Sequence, residues 1–570
     1  MPALEVCVTA IFREGTSPSP TNFGWNGGII IKKRGGKISS SDRRAAMLMV
    51  MMYLLMGGLC IKILTLTVNQ GYVAAAAGQS KYTVTINQTR GKIYDCNFVP
   101  LAGGRMGYKA VILPNAATSA HLKDYVSQDK MESLAESLSH HRPFVTDVAD
   151  GTADGEGVTV YKIETRYAAN SPAVHTVGYL NGDGEGVSGI ERAYDSFLAL
   201  NSGNIKATYQ INAGGGGLQG PEPIIADTTG RSDAGVVLTI DYELQRIAQQ
   251  AADKHLTKGA VVVMELPEGK VRAAVSVPVF EQNDILDYLD AEDSPMLNRN
   301  LSAYDVGSTF KLVVAACALD RGISPDFCYE CTGSMIIGEN TFHCNNRSGH
   351  GELTMDRAIE VSCNTYFIAL AQQIGGDALL EYAKRFGLGK EIELAKDYFT
   401  SAGKLPSSGS LKLPAALANF SFGQGELMAT PMHIVSIVGT IANDGQKVTP
   451  VLLEGIVDSD KNFISRPEFT PGRQVCSRES ARLIQTFMRL SVTEGTGRWG
   501  ASDRVDCAAK TGTAQTGMRK NGHQVLQAWY AGYFPIENPK YAVVVLAENG
   551  LSGGADAGPV FKYIADELYG

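Results

Sequence analysis

The sequence predicts an α+β domain that follows a single membrane-spanning helix. Two observations carry this prediction. An uncharged apolar run covers 45–61, and strand-like segments stand at both ends of the region 235–570, with long helical patterns between them. Because the terminal segments of such a region can share one sheet, we expect a largely antiparallel sheet flanked by helices. A chain of 570 residues has room for roughly two to four folding units at ~150 residues each.

The overall composition is that of an ordinary globular protein. Hydrophobic residues make up 44% and charged residues 19% of the chain, which argues against a disordered, collagen-like or coiled-coil protein. The formal net charge is −8 and the isoelectric point is near 5.7, so a nucleic-acid partner is disfavoured. The ten cysteines do not have the spacing of a small disulfide scaffold.

The apolar segment begins at Ala45 and ends at Val68, with Lys62 as its one charged residue. A helix of that length could cross a hydrocarbon core of ~30 Å, with Lys62 reaching toward one interface. A buried core helix is the alternative, but soluble helices seldom lack a polar face over so long a span. We therefore predict a transmembrane anchor over 45–68.

Basic residues before the anchor predict its orientation. By the positive-inside rule, residues 1–44 form a basic cytoplasmic tail and the bulk of the chain lies on the outer side. A cleaved signal peptide, with a cleavage site near Ala74–Ala77, is the rival interpretation. The apolar run is longer than a usual signal-peptide core, which favours an uncleaved anchor. The basic residues are Lys32, Lys33, Arg34, Lys37, Arg43 and Arg44.

Residues 78–230 contain short strand-like runs, such as Tyr82–Ile86, separated by glycine-rich turns. The acidic segments 150–157 and 181–186 could suggest calcium loops. They lack a full EF-hand ligand set, so solvated turns are the preferred interpretation. The glycine-rich segment 213–220 is typical of a flexible joint. These features predict a separate domain over 78–230.

The region 235–570 opens with a predicted helix over 239–255, for which Asp241 is a suitable N-cap. Two apolar runs, 260–266 and 271–277, are joined by a short turn and predict a β-hairpin. The C-terminal part adds three predicted strands and one helix. These elements are 506–513, 527–534, 541–548 and 560–568.

Ser308 and Lys311 begin an apolar segment that predicts a buried helix starting at or near Ser308. Residues three apart share one helix face. Burial disfavours a charged lysine, and a neutral Lys311 could take the Ser308 hydroxyl proton and create a nucleophile. The alternative is a capping serine with a surface lysine. A Ser-x-x-Lys pair is expected by chance about once or twice in a chain of this length, so the pair alone is weak.

Two further segments could complete such a site. Ser362 could relay a proton to a leaving amine, and Asn364 could hold a substrate amide, although both residue types also favour helix caps. Lys510 and Thr511 could bind a carboxylate, and Gly512 would allow close approach of a ligand to a strand. The backbone N–H groups of Thr513 and Ser308 could form an oxyanion hole. An ordinary edge strand with a bulge is the alternative for this last segment.

The order of these elements is more specific than any one of them. Ser-x-x-Lys at 308–311, Ser-x-Asn at 362–364 and Lys-Thr-Gly at 510–512 follow one another as in penicillin-binding proteins and class A β-lactamases. The chain resembles a class B penicillin-binding protein, a monofunctional peptidoglycan D,D-transpeptidase. That resemblance implies a penicillin-binding transpeptidase fold over 235–570, preceded by an elongated, non-catalytic pedestal over 78–230.

Further segments are similar to the same family. The segment 89–102 is similar to the family's first pedestal motif, although Cys96 and Phe98 replace its usual Arg and Gly. No glycosyltransferase motif is apparent before the second region, which favours class B over class A. Asp305-Val306 stands where the family commonly has Glu-Pro. The segment 188–198 resembles the family's second pedestal segment, and the segments 422–431 and 528–535 resemble stretches of its transpeptidase domain.

The resemblance implies a reaction, partners and a location. Ser308 would attack the D-Ala-D-Ala carbonyl of a stem peptide, with Lys311 as the favoured base, and a neighbouring stem's amine would resolve the acyl-enzyme. Penicillins and other β-lactams would acylate Ser308 as substrate mimics. No metal or organic cofactor is implied. A glycan polymerase of the SEDS type is the expected partner, in a bacterial membrane with the catalytic domain outside.

The cysteines at 328–344 leave three alternatives open. A zinc site is one, although its second half lacks metal-finger spacing. A Cys331–Cys344 disulfide is implied by the resemblance, because family members often have cysteines at these positions. Free thiols are the preferred interpretation. The residues considered for zinc are Cys328, Cys331, His343, Cys344 and His350.

Two other functions fit parts of the pattern. A β-lactamase or β-lactam sensor shares the three motifs, but a secreted lactamase would have little use for an anchor and a pedestal. A non-catalytic cell-wall scaffold is disfavoured because all three motifs are intact. The sequence does not separate roles in elongation, division or sporulation.

Overall fold

The computed structural model describes residues 40–68, 80–212, 214–218, 220–520 and 523–570. Most of the predicted cytoplasmic tail, the alternative cleavage site at Ala74–Ala77 and two positions of the predicted glycine-rich joint lie outside these ranges. All structural statements below concern the described residues.

The predicted anchor is one helix, α1, Ser40–Val68. Within it, Arg43–Val68 is long and apolar enough to cross a membrane. At 1.5 Å per residue, these 26 residues extend for about 39 Å, which exceeds a hydrocarbon core of ~30 Å. The large apolar side chains of α1 are exposed, from Met47 to Val68. That exposure argues against the alternative of a buried core helix.

Residues 80–570 form one compact unit. Its first part contains two three-stranded antiparallel sheets, with strand orders β1-β7-β8 and β5-β4-β6. The strands are β1 Lys81–Thr89, β2 Lys92–Tyr94, β3 Pro100–Ala102, β4 Arg105–Ile112, β5 Phe144–Val148, β6 Val158–Thr165, β7 Gly203–Gln210 and β8 Ile224–Asp227. The helices are α2 Ala116–Leu122, α3 Gln128–Ser139, α4 Val174–Val177, α5 Gly189–Ala193 and α6 Asp195–Leu200.

The acidic, glycine-rich segments of this part are turns, as predicted. Asn181 Oδ1 accepts hydrogen bonds from the backbone N–H groups of Asp183 and Glu185 at 3.0 and 2.9 Å. Asp150 Oδ1 accepts from the N–H and the hydroxyl of Thr152 at 2.8 and 2.5 Å. These side-chain oxygens are used to hold the backbone of the turns.

The second part is built on a five-stranded antiparallel sheet of order β11-β10-β24-β23-β22. Its strands are β9 Gly235–Leu238, β10 Gly259–Glu265, β11 Lys270–Val277, β12 Tyr304–Asp305, β13 Tyr329–Cys331, β14 Ser334–Ile337, β15 Asn340–His343, β16 Gly351–Leu353, β17 Glu393–Ala395, β18 Tyr398–Phe399, β19 Met428–Ala429, β20 Leu453–Val457, β21 Phe463–Ser465, β22 Ala508–Lys520, β23 His523–Phe534 and β24 Tyr541–Glu548. Its helices are α7 Tyr242–His255, α8 Lys311–Asp320, α9 Met355–Glu360, α10 Asn364–Ile374, α11 Gly376–Arg385, α12 Pro414–Ser421, α13 Pro431–Ala442, α14 Arg478–Thr493 and α15 Gly558–Tyr569.

The predicted helices and strands of this part are found as helices and strands, although some of them begin or end at other residues. Asp241 caps α7 by accepting from the N–H groups of Glu243 and Leu244, both at 3.0 Å. The hairpin is β10 and β11, and β24 spans the predicted residues. Strand β22 runs seven residues beyond the predicted end at Thr513.

The two faces of the central sheet bury different helices. Alternate residues of a strand point to opposite faces. On β10, Ala260, Val262 and Met264 belong to the core that contains α8 and α13, whereas Val261 and Val263 belong to the core that contains α7 and α15. The α+β prediction is therefore realised as a sheet between two helical layers.

A second five-stranded sheet joins the two parts of the unit. Its order is β21-β20-β9-β2-β3. Strand β2 pairs with β9 in parallel, with Ile93 opposite Val236, and β20 pairs with β9 on its other side. The segments before residue 230 and after residue 235 are thus connected by continuous backbone hydrogen bonds.

Buried ion pairs support the same junction. Glu191 is fully buried and accepts from Arg166 Nε at 2.7 Å and from Tyr167 Oη at 2.8 Å. Arg90 Nε lies 3.3 Å from the other Glu191 oxygen, and Arg90 Nη2 lies 2.6 Å from Asp195 Oδ1. Arg90 belongs to the first of the two segments that resemble pedestal motifs, and Glu191 belongs to the second. We call Arg90, Arg166, Glu191 and Asp195 the arginine cluster.

Candidate active site

The three sequence motifs meet at one cleft of about 890 Å³. Strand β22, the turn before α8 and the segment before α10 form its floor. The predicted residues that line it are Ser308, Ser362, Asn364, Thr511 and Thr513. Lys311 and Lys510 are buried beneath them, each with no exposed surface.

Ser308 lies in a single 3-10 turn, Gly307–Phe310, and α8 itself begins at Lys311. Gly307 allows this entry because its φ is +61°, and its N–H donates to the Gly423 carbonyl at 2.8 Å. A Cβ on Gly307 would lie 3.1 Å from the Thr513 carbonyl carbon. The backbone of Thr513 therefore passes directly beside the turn that carries Ser308.

Lys311 is held by the second motif. Its Nζ donates to the Ser362 carbonyl at 2.8 Å and to Asn364 Oδ1 at 2.7 Å, and it lies 3.3 Å from Ser362 Oγ. Burial lowers the pKa of Lys311 to about 8, although the nearby Cys363 and Cys344 thiols oppose this change. A neutral lysine is therefore accessible in ordinary buffers.

Ser362 stands between two lysines. Lys510 Nζ donates to Ser362 Oγ at 2.7 Å, and Lys311 Nζ lies 3.3 Å from the same oxygen. The backbone φ of Ser362 is +57°, a left-handed conformation that costs a non-glycine residue of order 1 kcal/mol or more. Ser362 thus adopts an unfavourable backbone conformation in the position where its hydroxyl contacts both cations.

Asn364 begins α10, directly after Cys363, which is the N-cap and accepts from the Tyr366 N–H. The Asn364 amide is fixed at both ends. Its Oδ1 accepts from Lys311, and its Nδ2 donates to the His343 carbonyl at 3.1 Å. Because Nδ2 carries two hydrogens, one remains for a ligand.

Lys510 and Thr511 lie on β22, the edge strand of the central sheet. Burial lowers the pKa of Lys510 well below its usual value, and the charge of Lys311 lowers it further. Thr511 Oγ1 lies 2.7 Å from Thr496 Oγ1. Two hydroxyls therefore stand together at the cleft surface.

Gly512 packs closely against the turn that carries Ser308 and against β23. A Cβ there would lie 3.1 Å from both Thr309 Cγ2 and Trp529 Cβ. The glycine therefore admits the packing of the Ser308 turn against β22. Thr513 Oγ1 accepts from the Gly553 N–H at 3.3 Å, which attaches the strand to the loop before α15.

Several cleft residues were not identified from the sequence. They come from segments that carry no catalytic motif. For Thr496 and Trp499, the one available signal was the glycine-rich stretch 495–500 that contains them. The hairpin of β14 and β15 supplies one wall of the cleft. The unpredicted lining residues include Phe342, Arg347, Gln424, Thr496 and Trp499.

The chain contains one group of metal-ligating side chains among the described residues. It joins Cys331, Cys344 and His350 from the predicted set with Cys363, which the prediction did not include. Cys328 is exposed and lies outside the group, as does His343. The cysteines of this group are free thiols in the structure.

Comparison with known proteins identifies close similarities. Residues 259–566 match the family described as penicillin binding protein transpeptidase domain. The chain is 27% identical over 548 residues to stage V sporulation protein D of Bacillus subtilis, covering 88% of this chain and 82% of that protein.

Two further similarities extend this match. The chain is 31% identical over 365 residues to peptidoglycan D,D-transpeptidase PbpA of Mycolicibacterium smegmatis, covering 58% of this chain and 72% of that protein. A chain in a solved peptidoglycan synthase complex, described as coordinating polymerization and crosslinking, superposes with a TM-score of 0.66 at 25% identity. That match covers 92% of this chain and 98% of the other.

Proposed function

Because the chain belongs to the class B penicillin-binding proteins, we propose that it crosslinks peptidoglycan stem peptides as a D,D-transpeptidase through an acyl-enzyme on Ser308. The observation that carries the assignment of residues is the position of Ser362. Its hydroxyl contacts both Lys311 and Lys510 in a cleft that Ser308 also lines. One hydroxyl thus links the two buried lysines beside the nucleophile.

Acylation begins with Lys311. In its neutral form, Nζ takes the proton of Ser308 Oγ, and the oxygen forms a bond to the carbonyl carbon of the penultimate D-alanine. The burial that lowers the pKa of Lys311 to about 8 makes this neutral form available. Asn364 Oδ1 and the Ser362 carbonyl orient the amine throughout.

Collapse of the tetrahedral intermediate breaks the C–N bond to the terminal D-alanine. The leaving amine needs a proton, and Ser362 can relay one from Lys311 because its Oγ lies 3.3 Å from Nζ. Lys510 donates to the same oxygen and directs the Ser362 hydroxyl hydrogen toward the cleft. An acceptor amine then attacks the ester, and the same groups remove its proton in the reverse sense.

The remaining predicted residues bind the substrate. The backbone N–H groups of Ser308 and Thr513 face the developing oxyanion, and the adjacency of Gly307 to Thr513 supports this pairing. Thr511, together with Thr496, receives the terminal carboxylate of the stem peptide beside Lys510, whose Nζ donates to the Thr511 carbonyl. Gly512 holds the strand against the Ser308 turn.

The domain and membrane assignments belong to the same proposal. Residues 1–44 form the cytoplasmic tail, 45–68 the anchor, 78–230 the pedestal and 235–570 the transpeptidase domain, which lies outside the membrane. The basic residues before α1 support this orientation. The similarity to a chain of a peptidoglycan synthase complex supports a membrane-embedded glycan polymerase as partner.

Intact-protein mass spectrometry with a penicillin tests the nucleophile. Wild type is expected to gain one penicilloyl adduct that persists, and Ser308→Ala none. The matched control is Ser133→Ala, which removes an exposed hydroxyl of α3 that bonds only to its own helix. An adduct on Ser308→Ala would overturn the assignment, and rapid penicillin turnover would support the β-lactamase alternative instead.

A further inference from the structure

Three sulfur atoms and one imidazole nitrogen converge next to the cleft. The Sγ atoms of Cys331, Cys344 and Cys363 and a ring nitrogen of His350 all lie within 4.8 Å of one another. The Nδ1 of His350 is 3.5 Å from the sulfurs of both Cys331 and Cys344, and the sulfurs of Cys344 and Cys363 are 3.7 Å apart. The three cysteines are buried and His350 is partly exposed.

Separate segments bring these donors together. Cys331 ends β13, and Cys344 directly follows β15. His350 directly precedes β16, and Cys363 is the N-cap of α10. The group therefore joins the small β-strands of residues 329–353 to the helix that begins with the Ser-x-Asn motif.

The distances fit a tetrahedral zinc ion. Bonds of about 2.3 Å to sulfur and about 2.0 Å to nitrogen place tetrahedral sulfurs about 3.8 Å apart and sulfur and nitrogen about 3.5 Å apart. The two sulfur–nitrogen separations of 3.5 Å and the Cys344–Cys363 sulfur separation of 3.7 Å match these values, and the other pairs of donor atoms lie within 4.8 Å. Three thiolates and one imidazole are a common donor set for structural zinc.

We propose that Cys331, Cys344, His350 and Cys363 bind one Zn²⁺ ion, which fixes the Ser-x-Asn segment and one wall of the cleft. The four protein donors complete the tetrahedron, so the ion has a structural role and leaves no position for substrate. The three thiols release their protons to solvent as the metal binds.

Neighbouring hydrogen bonds are arranged to stabilise bound thiolates. Thr365 Oγ1 donates to Cys331 Sγ at 3.1 Å, and the Asn364 N–H donates to Cys344 Sγ at 3.4 Å. In the structure the Cys344 thiol itself donates to Asn345 Oδ1 at 3.1 Å, a bond that metal binding replaces. Such outer donors orient the ligands of a metal and strengthen its binding.

The catalytic consequence rests on the proposed function. Cys363 stands between Ser362 and Asn364, the two residues that hold Lys311. A metal bound to Cys363 restrains the left-handed backbone of Ser362 on one side. Through Cys344 it also restrains the end of the β14–β15 hairpin, whose residues line the cleft. Loss of the ion is therefore expected to loosen the lysine contacts without removing any catalytic group.

The first experiment measures metal content in the full-length chain purified in detergent with reductant and then exposed to Zn²⁺ and desalted. We expect about one zinc ion per wild-type chain by elemental mass spectrometry, and strong loss in Cys344→Ser. The control Cys328→Ser removes the nearby exposed cysteine and should retain the ion. Wild type without zinc, or Cys344→Ser with a full complement, would overturn the site.

A second measurement separates coordination from misfolding. Co²⁺ bound to wild type should show the intense absorption of thiolate ligands in tetrahedral geometry. His350→Ala should weaken binding, whereas His350→Cys, which restores a fourth donor, should recover it. A Cys344–Cys363 disulfide in the reduced, zinc-exposed protein would contradict the proposal, as would octahedral Co²⁺ spectra.

The third measurement tests the link to the cleft. Removing zinc from wild type should slow penicillin acylation about tenfold or more, and restoring it should recover the rate. Ser308→Ala should bind zinc fully while forming no adduct, so failure of the metal site and failure of the proposed nucleophile are distinguishable. Unchanged acylation without zinc would refute the role in positioning.

Discussion

The arginine cluster and the lysine pair are two buried groups of cations with opposite electrostatics. In the first, Arg90 and Arg166 surround the carboxylate of Glu191. In the second, Lys311 and Lys510 share one serine hydroxyl, and neither forms an ion pair with a carboxylate in the described chain. Both groups of cations are largely buried, so the two groups differ mainly in whether a carboxylate stands beside the positive charge.

The pKa values express this contrast. Burial opposes the charge of Arg166, but Glu191 more than offsets it, so the pKa of Arg166 is raised. Burial also opposes the charge of Lys311, whose pKa falls to about 8. A compensated cation keeps its proton and holds the fold, whereas an uncompensated one can exchange its proton during a reaction.

The largest expected effect is that of Lys311→Met. The substitution keeps the apolar stem and removes the base, so acylation by penicillin should slow by about 100- to 10,000-fold. Thermal unfolding should change little or shift upward, because an uncompensated buried charge is removed. Stopped-flow kinetics of acylation and calorimetry on the same sample measure the two effects. A large loss of stability with normal acylation would mean that Lys311 supports the fold and not the reaction.

Glu191→Gln should have the opposite outcome. Removing the carboxylate leaves Arg166 without its counterion and Arg90 with Asp195 alone, and the free energy of unfolding should fall by about 3–5 kcal/mol. The acylation rate per folded molecule should stay near that of wild type. Denaturant unfolding combined with titration of active protein measures both quantities, and a selective loss of acylation would contradict a purely structural cluster.

The pH profile sharpens the distinction. Because the reactive form of Lys311 is neutral and its pKa is about 8, acylation should rise by about tenfold between pH 6 and pH 7 and level off above pH 8. Below pH 8 the lysine is mostly protonated and cannot accept the Ser308 proton. A rate that is flat from pH 6 to 8 would exclude Lys311 as the base.

Asp195→Asn should have the smallest effect. This carboxylate also pairs with Arg90, but it is 37% exposed, and its Oδ1 accepts from the Gly186 N–H, which an asparagine can retain. We expect a destabilisation of about 1 kcal/mol or less. A loss as large as that of Glu191→Gln would mean that exposure does not separate the two carboxylates.

Local sequence signals predicted local structure well. The cap of α7, the hairpin of β10 and β11 and the strand β24 depend on neighbouring residues, and each is found where the pattern indicated it. The three motifs also indicated one cleft, since their order resembles that of a known family. The helix was predicted to start at or near Ser308, and in the structure Ser308 lies in a 3-10 turn directly before α8.

Pairing over long sequence distances was not predictable. The union of β2 with β9 depends on which edges meet in space, and neither strand carries a signal for its partner. The same reason explains Cys363, whose position inside a catalytic motif concealed its proximity to Cys344. The packing of Gly512 against Thr309 was not predictable either, because Thr309 belongs to a distant segment of the chain.

The sheet that contains β2 and β9 determines where the chain can be cut. A fragment that starts at Gly235 would present β9 with one edge stripped of its partner, an open template for association with other copies. A fragment that starts at Ser80 would keep that edge covered. Soluble preparations of the catalytic half should therefore retain residues 80–234, and shorter ones should aggregate.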